Sequence, residues 1–214
     1  MKVLLIGANG QIGKHIVDLL QASENHTVRA LVRKKEQADA LREKGVETVI
    51  ADLEGSVDAL ADALKGCDAV VFAAGSGGKT GFDKTLLVDL DGAVKSMEAA
   101  ELAGVKRYLI VSALQAHNRT NWSEVIKPYY VAKHYADRML MASGLDYTII
   151  RPGGLLNEPG TGNVRAANNL ERGSIPREDV ARTVVAALDE PATINRAFDL
   201  ISGDELISDA IKNI

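Results

Sequence analysis

Two residues one helical turn apart, Tyr129 and Lys133, are well suited to moving a proton. A spacing of four places both side chains on the same face of a helix. A phenol with a pKa of about 10 transfers protons poorly at neutral pH, whereas a nearby ammonium group stabilises the phenolate and lowers that pKa. Such a tyrosine can protonate a carbonyl oxygen, or deprotonate an alcohol in the reverse direction. The pair therefore predicts acid–base catalysis, and the alternative is that Tyr129 only packs while Lys133 binds a ribose.

A glycine-rich turn lies between the strand-like segment Lys2–Ile6 and the helical pattern Gln11–Ala22. Gly7 permits a tight turn, Gly10 lets the backbone approach a pyrophosphate, and Gly13 lets helix and strand pack closely. The free N–H groups and positive dipole end of the helix then face the phosphates. This placement predicts a dinucleotide-binding turn rather than a turn without a ligand. The predicted contacts are Gly7, Asn9, Gly10, Gln11, Ile12 and Gly13.

The residues at the end of the second predicted strand indicate which dinucleotide is bound. An Asp or Glu there would hydrogen-bond the free ribose 2′-hydroxyl of NAD. The chain instead has Arg33 followed by Lys34. A guanidinium group pairs with a 2′-phosphate, which a carboxylate would repel. The sequence therefore predicts NADP(H), with NAD less favoured, and a solvated basic turn is the alternative explanation for these cations.

The ends of the third and fourth predicted strands complete this cofactor site. Asp52 and Leu53 close the third strand, where a side chain can reach the adenine amino group. Ala73, Ala74 and Gly75 close the fourth strand. Their small size lets the backbone pass close to the cofactor, so we expect all five residues to contact it.

Strand-like and helix-like segments alternate along the chain, and this alternation positions the residues above. The predicted strands are Lys2–Ile6, Thr27–Arg33, Val46–Ala51, Asp68–Ala74, Lys106–Ser112, Leu145–Arg151 and Arg196–Ile201. Helical crossovers require parallel pairing, and continuous apolar strands fit a sheet covered on both faces. The handedness rule for crossovers then predicts an α/β fold, a doubly wound parallel sheet in three α/β/α layers. This is a Rossmann fold of order 3-2-1-4-5-6 with a short seventh strand.

The remaining length is predicted to belong to the same unit. We expect residues 1–214 to form a single NAD(P)-binding Rossmann domain, with a small substrate-covering region at about 152–214. The segment Pro152–Gly173 is rich in Gly, Pro and Asn and shows no clear period, which predicts a long loop. A long helix is predicted from about Asp83 to Leu102.

Composition argues against several other classes of protein. A net charge of -4 offers no basic surface for nucleic acid, and the chain contains no apolar run long enough to span a membrane. The apolar run near the first residue is too short for a signal peptide. One cysteine, Cys67, permits no intrachain disulfide, and the four histidines lack metal-ligand spacing. We therefore expect a cytoplasmic protein without a metal that acts on a small-molecule substrate, and the oligomeric state stays open.

Further segments carry a resemblance to a known family. They are Val111-Ser112-Ala113, Arg151-Pro152-Gly153 and Arg177-Glu178-Asp179-Val180-Ala181. With the glycine-rich turn, Asp52-Leu53 and the Tyr–Lys helix, they make nearly the whole chain resemble the atypical short-chain dehydrogenase/reductase superfamily, specifically its NAD(P)H-binding, YhfK-type epimerase/dehydratase branch. The resemblance implies a Rossmann fold, a nicotinamide cofactor and acid–base chemistry by the Tyr–Lys pair. It also implies that Ser112 orients a substrate carbonyl and that Val111, Pro152 and Gly153 contact the cofactor.

The sequence departs from this family in three respects. Epimerase-like members carry consecutive hydroxyl residues where Ser112 is followed by Ala113 and Leu114, and their usual Asn in the long fourth helix is replaced by Asp89. The chain is also much shorter than sugar-nucleotide epimerases, which leaves little surface to bury a nucleotide-sugar. We therefore expect an NADP(H)-dependent oxidoreductase of a small carbonyl, quinone or flavin-like acceptor. The alternatives are an NmrA-like NADP-binding redox sensor and a sugar epimerase or dehydratase.

Overall fold

Seven parallel strands form most of a nine-stranded sheet in the computed structural model, which describes residues 1–78 and 80–214. The strands are β1 (Lys2–Ile6), β2 (Thr27–Val32), β3 (Glu47–Ile50), β4 (Ala69–Phe72), β5 (Arg107–Val111), β6 (Asp146–Pro152), β7 (Gly154–Leu156), β8 (Asn163–Ala167), β9 (Ser174–Pro176), β10 (Arg196–Ser202) and β11 (Glu205–Leu206). The sheet order is β11-β8-β10-β6-β5-β4-β1-β2-β3. The predicted doubly wound sheet of order 3-2-1-4-5-6 is therefore confirmed, and β10 pairs with β6 as a seventh parallel strand.

Helices cover both faces of this sheet. They are α1 (Gln11–Gln21), α2 (Lys35–Arg42), α3 (Val57–Leu64), α4 (Phe82–Lys84), α5 (Ala93–Ala103), α6 (Lys127–Ala142), α7 (Arg177–Asp189) and α8 (Ile207–Ala210). The predicted long fourth helix contains a π-helical stretch, Thr85–Gly92, between α4 and α5. Such stretches are often found at functional sites. No helix within the described part of the chain has the length and apolar character needed to cross a membrane.

The buried strands explain why the sheet is covered on both sides. Alternate residues of a strand point to opposite faces. Val3 and Leu5 of β1 accordingly belong to an apolar cluster with residues of α1 and α7. Leu4 and Ile6 belong to a second cluster with residues of α3 and α5. Because strands β1 to β6 run parallel, their carboxyl ends lie together at one edge of the sheet, where the loops that follow them meet.

The region after β6 differs from the prediction in two ways. The predicted long loop Pro152–Gly173 is wrong in part, because it contains β7 and β8. The seventh strand, β10, is also not short, since it has seven residues, as many as β6. β8 pairs antiparallel with β10, which follows it in the chain only after β9 and α7. The hydrogen bonds of β8 go to a strand remote in sequence, and its own residues do not alternate clearly between apolar and polar. The local sequence pattern therefore did not predict it.

Candidate active site

The glycine-rich turn joins β1 to α1 and brings its glycine backbones close together. Gly7 has φ +98°, and a Cβ there would lie 2.6 Å from the carbonyl carbon of Ala73 at the end of β4. A Cβ at Gly13 would overlap the carbonyl group of Gly7. The N–H of Gly10 donates to that same carbonyl at 2.9 Å. No side chain of the described residues caps α1, so the N–H groups at its start can bind a ligand. A side chain at Gly7 or Gly13 would collide with the neighbouring backbone. The glycines therefore keep the turn compact and leave room for a dinucleotide diphosphate.

A first cavity extends from this turn to the ends of β2, β3 and β4. The predicted cofactor residues that line it are Gly7, Asn9, Gly10, Arg33, Asp52, Leu53, Ala73, Ala74 and Gly75. Gln37, Thr80, Lys84 and Val88 also line the cavity and were missed from the sequence. Their contribution depends on how α2 and the long fourth helix pack over the sheet edge, and no local motif signals it.

The charged groups of the first cavity differ in how they are paired. The Nζ of Lys84 lies 2.7 Å from a carboxylate oxygen of Glu54. The Asp52 carboxylate accepts a hydrogen bond from the Glu54 backbone N–H at 3.0 Å. Arg33 is exposed and has no acidic partner within 4.0 Å among the residues the structure describes. Its guanidinium group can therefore bind a ligand anion without first breaking an ion pair.

A second cavity brings the predicted catalytic residues together. The predicted residues that line it are Gln11, Ile12, Ala73, Ala74, Gly75, Val111, Ser112, Tyr129, Lys133 and Pro152. Three predicted cofactor residues line neither cavity. Gly13 packs against Gly7, and Lys34 precedes α2 as its N-cap residue. The N–H of Gly153 donates to the Leu200 carbonyl at 2.9 Å, so this glycine is part of the connection between β6 and β7.

Lys133 is held in place by two groups from distant segments. Its Nζ donates to the Val111 carbonyl at 3.1 Å and lies 3.5 Å from Oδ1 of Asp89. The other oxygen of Asp89 accepts the N–H of Ser76 at 2.9 Å. Burial would lower the pKa of Lys133, but the nearby Tyr129 and Asp89 outweigh it and raise that pKa above its usual value. Lys133 is therefore a buried ammonium group, and Asp89 links it to the loop after β4.

Two opposing effects act on the pKa of the Tyr129 phenol. The Nζ of Lys133 lies 5.8 Å from the centre of the Tyr129 ring. Its charge acts in the predicted direction, but burial has the larger effect and raises the pKa of Tyr129 above its ordinary value. The effect of Lys133 is thus smaller than that of burial, and a lowered pKa, which the positive charge of an oxidised nicotinamide would help to produce, stays a prediction. At neutral pH Tyr129 is protonated, which is the form that donates a proton.

Ser112 lies at the end of β5 beside a second buried ion pair. Its backbone N–H donates to the Ile150 carbonyl at 2.7 Å, which fixes the residue to β6. The Ser112 hydroxyl faces the carboxylate of Asp137, which accepts a hydrogen bond from Arg151 Nε at 2.8 Å. Burial raises the pKa of Asp137 in spite of Arg151 and Ser112. Asp137 was not predicted from the sequence, although its spacing of four from Lys133 places it on the same face of α6.

Known proteins similar to this chain have been named for two kinds of activity. A family model described as NAD(P)H-binding matches residues 7–191. The uncharacterized sugar epimerase YhfK of Bacillus subtilis (strain 168) is 65% identical over 214 residues, which are 100% of both chains. A solved structure from Bacillus halodurans, provisionally assigned as a NAD-dependent epimerase/dehydratase, has a TM-score of 0.94 and 40% identity and covers 100% of each chain. ChuY, an anaerobillin reductase from Escherichia coli O157:H7, has a TM-score of 0.82 and 28% identity over 95% of this chain and 98% of its own. The resemblance drawn from the sequence is thereby confirmed.

Proposed function

Because the chain belongs to the NAD(P)H-binding family, we propose that it is an NADP(H)-dependent oxidoreductase that reduces a small carbonyl, quinone or flavin-like acceptor. The observation that carries this proposal is the second cavity, where Tyr129, Lys133 and Ser112 line one space together with the start of α1. A proton donor and a buried cation therefore line the same ligand-sized volume, and Ser112 lines it too, with its hydroxyl oxygen buried on the side of Asp137. The reductase name of ChuY, a relative over nearly its full length, supports the same class of reaction.

The cofactor site in this proposal consists of residues around both cavities. The turn from Gly7 to Gly13 would hold the diphosphate, because its glycines carry no side chains that would block the approach of the ligand to the backbone. Arg33 would pair with the 2′-phosphate, because its guanidinium group has no competing carboxylate among the described residues. Lys133 would bind the nicotinamide ribose. When bound, NADPH supplies the hydride for reduction.

Proton transfer in this proposal depends on Tyr129. Burial raises the pKa of this phenol, so the group is protonated at neutral pH and can donate to an oxygen of the acceptor. The buried Lys133 ammonium stabilises the phenolate that this donation leaves. Ser112, whose side chain is buried at the end of β5, would orient the same acceptor oxygen through its hydroxyl group.

The acceptor in this proposal is small, and residues of about 152–214 cover it. Pro152, Leu155 and Arg177 come from this region and line the second cavity. We propose that this region and the dinucleotide-binding part form one domain. An epimerase or dehydratase acting on a sugar is the second candidate, and the name of the Bacillus subtilis relative favours it. The absence of a large substrate lobe within the described residues favours the smaller acceptor.

The proposal is tested with the purified protein, NADPH and a panel of aldehydes, quinones and flavins. We expect nicotinamide oxidation with at least one acceptor. Tyr129→Phe should lower carbonyl reduction by about 100-fold or more, because it removes the proton donor. Tight NADPH binding without any turnover would contradict the reductase and favour a redox sensor. Conversion of a nucleotide-sugar without net NADPH oxidation would favour the epimerase.

Cofactor choice is tested separately by equilibrium binding. We expect Arg33→Ala to weaken NADPH binding by about 10-fold or more and to leave NADH binding nearly unchanged, since a charge-assisted hydrogen bond to the 2′-phosphate is lost. The control is Arg42→Ala, which removes an exposed arginine of α2 that pairs with Asp39. Equal losses for both cofactors in the Arg33 variant would contradict the assignment to NADP(H).

A further inference from the structure

The rim of the second cavity combines exposed apolar side chains with one cation. Phe82, Ile126 and Leu155 line the cavity, and each exposes more than a third of its surface, at 52%, 41% and 38%. They come from α4, from the 3-10 turn before α6 and from β7, so three separate segments contribute apolar surface to the same cavity. Large apolar side chains that are exposed around one opening commonly mark a ligand-binding surface.

Arg177 contributes the cation at this rim. Its Nη1 donates to the Leu155 carbonyl at 3.1 Å and to Oδ1 of Asn157 at 2.8 Å. Its Nε and Nη2 make no hydrogen bond with any group in the described part of the chain, and no carboxylate lies within 4.0 Å. Arg177 is also the first residue of α7, where the helix dipole disfavours a positive charge. The guanidinium group is therefore anchored at one end and free to bind an anion at the other.

The other charges that line the second cavity cancel each other. Lys133 and Asp89 both line it and form a buried ion pair. Among the lining residues that the structure describes, Arg177 is consequently the cation without an acidic partner. Its fixed contact to Leu155 holds the charge beside the apolar part of the rim. A neutral acceptor would leave this charge unused.

We propose that Arg177 binds a carboxylate or another anionic group of an apolar, flat acceptor whose ring lies against Phe82, Ile126 and Leu155. This inference rests on the proposed function, because it names the class of acceptor for that same cavity. Arg177 could face either the cofactor diphosphate or an anionic acceptor. The diphosphate already has the N–H groups at the start of α1, whereas the apolar side chains that line the cavity with Arg177 favour the ring of an acceptor. The cofactor diphosphate is the other possible source of an anion at this position, and the experiment separates the two.

The experiment measures equilibrium binding of two probes, 2-naphthoate and 2-naphthamide, to the protein saturated with NADP⁺. The probes share a ring system and differ in charge. We expect the wild type to bind 2-naphthoate at least about 10-fold more tightly than 2-naphthamide. Arg177→Gln should abolish this preference and leave the binding of 2-naphthamide and NADP⁺ unchanged. Arg177→Lys keeps the charge and should retain part of the preference.

A matched control is Arg172→Gln, which removes an exposed arginine that donates to the Asn121 carbonyl and lines neither cavity. It should keep the full preference for 2-naphthoate. The proposal is overturned if wild type binds the two probes equally or not at all, or if the preference survives in Arg177→Gln. Weaker NADP⁺ binding in Arg177→Gln, measured without a probe, would assign Arg177 to the cofactor diphosphate and also overturn it. Because none of these measurements needs turnover, a failure of the proposed reduction is distinguishable from a failure of this subsite.

Discussion

The substitution Lys133→Met, which removes the ammonium group and keeps an apolar side chain, tests the buried ion pair most directly. The side chains of Lys133 and Asp89 are 3% and 1% exposed, so the variant leaves a carboxylate buried without its cation. Breaking a buried pair in this way costs about 3–5 kcal/mol. Asp89 keeps the hydrogen bond from the Ser76 N–H, and its separation from Nζ is 3.5 Å, longer than an ideal contact. We therefore expect the lower end of that range, about 3 kcal/mol.

The measurement is urea-induced unfolding at neutral pH without cofactor, for wild type, Lys133→Met, Asp89→Asn and the double variant. At about 2–4 °C per kcal/mol for a chain of this size, the same loss should lower the thermal midpoint by about 6–12 °C. In the double variant a neutral amide replaces the Asp89 carboxylate, so we expect this variant to recover about 1–3 kcal/mol relative to additivity. Additive losses, or a loss below about 1 kcal/mol in Lys133→Met, would refute the reasoning.

Two further predictions concern the turn and the phenol. Gly13→Ala adds a Cβ that overlaps the Gly7 carbonyl, so we expect NADPH binding to fall by more than about 10-fold in calorimetry, while Gly144→Ala, where a Cβ meets ordinary contacts, should bind normally. Normal binding by Gly13→Ala would contradict the packing argument. Because burial raises the pKa of Tyr129, carbonyl reduction should stay constant as the pH rises from neutrality and fall only above the usual phenol pKa of about 10. A decline near neutral pH that Tyr129→Phe abolishes would show a lowered pKa instead.

Local patterns predicted the elements that carry the site better than the region that covers it. The strands β1 to β6 are short apolar runs between helical patterns, and their parallel order follows from general rules of connection. β8 and β11 hold neighbouring positions at the edge of the sheet, where β8 pairs antiparallel with β10 and β11 with β8. Both pairings join segments that are separated by α7, and the residue pattern within each segment does not predict them. The strands of Pro152–Gly173 were therefore predicted only as a loop, although the wider region of about 152–214 was expected to cover the substrate.

The sequence alone determined the features that depend on neighbouring residues. Gly7 and Gly13 indicated a backbone cradle because a strand, a tight turn and a helix follow one another directly. The spacing of Tyr129 and Lys133 indicated a shared helix face. Only the tertiary structure decided that Asp89 pairs with Lys133 and that Arg177 reaches the same cavity as Tyr129. It also decided the direction of the Tyr129 pKa, since desolvation depends on everything packed around the phenol. Spacing describes contacts along one element, whereas burial and ion pairing arise between elements far apart in the chain.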